Sequence, residues 1–153
     1  MKPPTGLEAR ELATMALQRV EHEGAYLNLA MRGLLRRRQH PAPAQAALAT
    51  ALAAGVLRWK TRLDYALSRV SRRPLPRVDP LLLQILRIAA YEVGFARETP
   101  APVAVDLAVR QARRLLGPPE ASFANGVLRA LVRLDEEEGR LPAPEGGPAG
   151  ERL

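Results

Sequence analysis

The sequence has no cysteine. That excludes disulfides, thiolate metal sites and a thiol nucleophile, and it leaves the compartment open. Two histidines, His22 and His40, are too few for a histidine-rich metal site. No N-terminal apolar stretch resembles a signal peptide, and no run approaches the roughly 18 apolar residues of a membrane span. The expectation is a cytoplasmic chain with no membrane partner. Catalytic signatures are missing too: no glycine-rich dinucleotide or phosphate loop, no H-E-x-x-H and no G-x-S-x-G. The acidic run Asp135 to Glu138 has no partnering base and is expected to be a solvated helix end. No catalytic residue, no metal ligand and no cofactor is therefore assigned within this chain.

What is present is positive charge. The 153 residues suffice for one domain with a real core, and they carry a net charge of +7. Arginine supplies almost all of it. A basic protein of this size favours an anionic partner, nucleic acid foremost. The planar guanidinium also suits phosphate, because it donates in bidentate pairs. A coding bias towards Arg, Ala, Pro and Gly would raise arginine everywhere and is the competing explanation.

No segment alternates with period two, so the fold class is all-α. Asp79-Pro80 starts the most apolar helix: Asp caps the orphan N–H groups and Pro fits the first turn. From Leu81 to Phe95 only Gln84, Arg87, Glu92 and Gly94 are not apolar. A helix apolar nearly all round belongs at the centre of a core. Before it, the 3.6-residue pattern predicts helices from Leu7 to about Glu23 and from Tyr26 to Gln39. A third runs from Ala44 to Val70, with a bend near Leu57 to Lys60. Gly55 inside that helix costs up to about 1 kcal/mol relative to Ala, which a close helix approach would justify. Two prolines make Ser71 to Val78 a loop. Thr99 is expected to cap a fifth helix, Gly117-Pro118-Pro119 to stop it, and Ser122 to cap the last one. Residues 1–138 form the helical domain, six to seven helices in a bundle, and 139–153 a Pro/Gly-rich tail or interdomain linker.

Three basic groups stand out. The first is Arg36, Arg37 and Arg38, which a helix C-terminus also accommodates. The second is Arg58, Trp59, Lys60 and Arg62, with Arg72 and Arg73 near in sequence. The third is Arg110, Arg113 and Arg114. Trp59, the single tryptophan, either stacks on an unpaired base or packs under a neighbouring helix. Groups spread over several helices suit a broad face for phosphates rather than a base-reading motif. Tyr91 beside Arg87 is read as structural.

Several segments, in order, resemble the NusB family of helical RNA-binding domains. They are Ala9 to Ala13, Glu23 to Ala30, Ala49-Thr50 with Gly55 to Arg58, Leu63-Asp64, Leu86 to Glu92, and Phe123 to Arg129. The Gly24-Ala25-Tyr26-x-Asn28 and Gly55-Val56-Leu57-Arg58 segments are most similar to the N-terminal domain of RsmB-type rRNA 5-methylcytosine methyltransferases. The resemblance implies two packed helical subdomains and an RNA ligand, most of all rRNA. It implies a following methyltransferase domain with S-adenosylmethionine, or, for a stand-alone antitermination factor, a ribosomal protein partner. Stand-alone members often carry an arginine-rich first helix that touches RNA, and here only Lys2 and Arg10 occupy that place. The family's Pro-Ala-His element is replaced by Pro100-Ala101-Pro102. The methyltransferase branch needs catalytic cysteines, which these residues lack. A helical protein-interaction module is the reading from outside RNA biology.

Overall fold

A computed structural model of the chain describes residues 6–37 and 42–145. These described residues form six α-helices: α1 Leu7–Glu23, α2 Leu27–Arg37, α3 Pro43–Val70, α4 Pro80–Gly94, α5 Ala101–Leu116 and α6 Pro118–Glu138. Among the described residues there is no strand, as expected from the missing alternation. Asp79 caps α4 through its carboxylate, which accepts from the N–H groups of Leu81 at 2.8 Å and Leu82 at 3.3 Å. Gly24 ends α1 in the left-handed region at φ 68°, where a side chain would be strained.

Some boundaries differ from expectation, for local reasons. α3 runs unbroken for 28 residues, because Gly55 and the residues after it stay in register for burial. Thr99 does not cap α5, which starts after Pro100 with no side-chain cap. Its hydroxyl instead faces Arg10 at 3.4 Å. α6 begins at Pro118 rather than Ser122. The prolines that end one helix also suit the first turn of the next.

α4 packs against α1, α3, α5 and α6. Leu82, Leu86 and Ala90 are completely buried along it. At Gly55 α3 and α4 approach closely, since a Cβ there would collide with the Tyr91 ring. The missing side chain thus serves the approach its sequence context suggested.

The polar residues of α4 are buried as well, and each is answered from another helix. Arg87 donates Nε and Nη2 to the two Asp64 oxygens of α3 at 2.7 and 2.9 Å, and Nη1 to Glu21 of α1 at 2.8 Å. Gln84 donates to the same Glu21 carboxylate. Glu92 receives both Nε and Nη2 of Arg10 from α1. Arg10 also donates to the Gly6 carbonyl at 2.9 Å. Burial alone would lower the affinity of Arg87 for its proton, but Asp64 and Glu21 raise it, so it stays charged. For Glu21, burial pushes its pKa up, yet Arg87, Gln84 and Lys60 together hold it below the ordinary value.

The packing continues beyond Glu138. Leu141, assigned from sequence to the tail, is buried and lies in the hollow left by Gly94. Arg62 reaches its carbonyl oxygen with Nε at 3.2 Å and Nη2 at 2.6 Å. A single leucine among prolines and glycines has no periodicity to betray it. Asp135, expected in a solvated end, is also buried, and Arg97 pairs with it at 3.1 Å.

Two expectations follow. Leu141→Ala should lower unfolding stability by about 2–5 kcal/mol, the range for an emptied leucine site, seen as a lower urea midpoint at unchanged slope. An unchanged midpoint would return this segment to the tail. Glu21 has a lowered folded pKa, so its contribution is complete above the ordinary glutamate value of about 4.3 and is lost as pH falls through the folded value. Glu21→Gln should therefore be less stable at neutral pH and show a shallower loss of stability below about pH 5. Parallel acid curves for the two proteins would refute this assignment.

Candidate nucleic-acid interface

The cations predicted from sequence divide sharply by environment. Arg10 and Arg62 are 4% and 2% exposed. Both were expected to face a ligand, and both are instead committed to the interior, Arg10 by Glu92 and Arg62 by the Leu141 carbonyl. A buried guanidinium must be paired, and removing its partner typically costs about 3–5 kcal/mol. These two are structural. Lys2 and Arg38 lie outside the described residues.

The second group is largely occupied. Trp59 stacks on Phe95 at 4.5 Å between ring centroids, 12° from parallel, so it takes the packing role of the two considered. Arg58 lies 5.5 Å from the Trp59 ring centre, and Lys60 reaches Glu21 at 3.6 Å. Arg73 pairs with Glu120 at 3.2 Å and sits 4.0 Å over the Phe123 ring. This holds the loop after α3 against α6. Arg72 is exposed and without an anionic partner among the described residues.

Two of the three members of the third group are committed. Arg110 pairs with Asp106 one turn back at 2.8 Å, and Arg114 reaches across to the buried Glu11 of α1 at 3.1 Å. Arg113 is exposed and has no anionic partner among the described residues. Exposed pairs such as the first contribute little to stability, but each still places a carboxylate beside the cation and weakens its pull on phosphate.

On α2 the situation is different. Leu27, Ala30, Met31 and Leu34 turn inward. Arg32, Arg36 and Arg37 are exposed, and none has an anionic partner among the described residues. Arg19 of α1, half-buried, adds a fourth cation without an anionic partner among the described residues. It lies across Gly33, its Nη1 being 3.3 Å from where a Cβ would stand. Arg19 and Arg32 were missed from sequence, because only the consecutive run that follows drew notice. Arg32 stands four residues before Arg36, one helical turn away, and that spacing was the available signal. Tyr26 and Leu29, 76% and 55% exposed, occupy the start of the same outer face.

Two crevices open on the surface. One of about 280 Å³ opens over Glu21, Lys60, Gln84 and Arg87, but these groups are already bonded to one another. The other, about 260 Å³, lies between α5 and α6 with valine walls and Asp106, Asn125, Arg129 and Arg133 at its rim. Neither holds a nucleophile beside a base. Among the described residues no three His, Asp or Glu side chains are grouped to hold a metal, and no helix is long and apolar enough to cross a membrane.

The chain is similar to known proteins over most of its length. The chain is 33% identical over 132 residues to "Transcription antitermination protein NusB" of Shewanella pealeana, covering 86% of this chain and 97% of that protein. It is 32% identical over 124 residues to "Probable ribosomal RNA small subunit methyltransferase B" of Bacillus subtilis, covering 81% of this chain. The chain spans only 27% of the length of that methyltransferase relative. Among solved structures, the fold matches that of "Antitermination Factors NusB and NusE in complex with dsRNA" with a TM-score of 0.77 at 17% identity, covering 84% of this chain and 96% of that one. It matches T. maritima NusB with a TM-score of 0.74 at 23% identity, covering 93% and 96%. The family model described as "NusB family" matches residues 7–133, nearly the whole helical body, and the chain belongs to that family.

Proposed function

We propose that this chain is an RNA-binding domain that holds the phosphate backbone on the outer face of α2, with Arg19 beside it. The observation that carries this reading is the set of four arginines without anionic partners on adjoining helices. Elsewhere, most sequence-predicted cations are neutralised or buried. Guanidinium groups free of carboxylates are the ones able to release counterions from a nucleic acid. A solved relative is described as a complex with dsRNA, which supports RNA as the ligand class.

Two finer roles are supported by different observations. The Gly24-Ala25-Tyr26-x-Asn28 segment supports a domain that presents rRNA to a methyltransferase. In that role the cofactor S-adenosylmethionine and the catalytic cysteines would reside in another domain. Near-complete coverage of an antitermination protein supports a free-standing factor; a ribosomal protein is then the proposed partner, and a structural neighbour in complex with NusE supports a protein partner as such. In both roles RNA is gripped by the same face.

Fluorescence anisotropy with a labelled single-stranded rRNA fragment tests the shared reading. Affinity should fall steeply between about 50 and 200 mM salt. The variant carrying Arg32→Ala, Arg36→Ala and Arg37→Ala should bind more weakly, with a log–log salt slope reduced by about two units, while keeping its helical circular dichroism. Undetectable or salt-insensitive binding by the unaltered chain would instead favour a protein-interaction module.

A further inference from the structure

We infer that Tyr26 is a stacking platform for an unpaired base, so that the RNA held on α2 is single-stranded at this point. The inference rests on the proposed RNA-binding role and specifies its ligand. Tyr26 is 76% exposed, the most open of the large apolar side chains, and Leu29 one turn on is 55% exposed. Isolated exposed apolar residues are ordinary. These two are one turn apart, and they share the outer face of α2 with arginines that have no anionic partner among the described residues.

The ring is presented from a fixed backbone. Gly24 closes α1 at φ 68°, and the Ala25 N–H returns to the Arg19 carbonyl at 3.4 Å. The Tyr26 carbonyl then accepts the first bond of α2, from Ala30 N–H at 3.0 Å. Tyr26 therefore stands between two helix ends whose hydrogen bonds hold its main chain. A platform on a rigid element loses little freedom when a base settles on it. From Tyr26 to Arg36 the helix advances about 15 Å, which is the length of several nucleotides.

The chemistry selects the ligand. Phosphates of a duplex or a single strand would satisfy Arg32, Arg36 and Arg37 equally well. An exposed aromatic face is used only by a base free to leave its stack, which is how single-stranded RNA is recognised. Leu29 would lie under the sugar or base edge as further apolar surface. A protein partner covering the same strip would have to desolvate or pair four guanidinium groups, and so the charge favours RNA.

The test compares binding of one rRNA fragment as a single strand and as a duplex, using the unaltered chain, Tyr26→Ala and Tyr26→Phe. Tyr26→Ala should weaken single-strand binding roughly 5- to 150-fold, the range for loss of one base–aromatic stack. Duplex binding and the salt slope should stay unchanged. Tyr26→Phe should bind within about twofold of the unaltered chain, because the π-face and not the hydroxyl is used. Circular dichroism should be identical for all three, given the exposure of the side chain. Loss on Tyr26→Phe equal to that on Tyr26→Ala would overturn stacking in favour of a hydrogen bond. Equal loss on duplex and single strand would overturn it as well. If Tyr26→Ala leaves single-strand affinity intact while the α2 arginine variant loses it, the platform is refuted and the RNA-binding role stands. If the unaltered chain binds neither RNA, the role itself fails and the strip is a protein surface.

Discussion

The bidentate grip of Arg87 on Asp64, completed by Glu21, ties the central helix to α3 and α1 at once. A charged residue at 4% exposure on a mostly apolar helix is tolerable only with such partners. The same logic repeats at Glu92, which Arg10 satisfies from α1. These contacts fix the rotation of α4 about its axis, since any other angle would bury a charge without its partner. With α4 fixed, its apolar sides can serve α1, α3, α5 and α6 together.

This arrangement also distributes charge over the surface. Glu21, Asp64, Glu92, Asp135 and Glu11 all answer arginines from other helices or loops. Acids are thereby drawn into the fold, and the net charge of +7 falls on side chains that have no answering carboxylate. α2 holds the most concentrated set. Its inner face is apolar and packs on the core, and its outer arginines have no anionic partner among the described residues. A ligand can then be bound there without disturbing the core.

Much of this was legible in the sequence. The helices, the central position of α4 and the close approach at Gly55 follow from apolar periodicity, proline placement and a glycine where a glycine is costly. Family-marking segments were legible too. What was not legible were the partners. Nothing local tells Arg10 from Arg36, because one is buried only when α1 and α4 bring Glu92 opposite to it. Leu141 was hidden for the same reason: its pocket is formed by Gly94, far away in sequence. Trp59 drew notice as a lone aromatic between cations, yet Phe95 claimed its face. Tyr26, which looked like a helix start, proved to be the exposed ring.

The most direct measurement of the α2 interface is an NMR titration of the chain with a single-stranded rRNA fragment, following backbone amide shifts. Changes concentrated on α2 and the α1–α2 turn, from Arg19 to Arg37, are expected, with α5 quiet. A footprint centred on Arg110 to Arg114 or on the loop from Ser71 to Val78, with α2 unmoved, would contradict it.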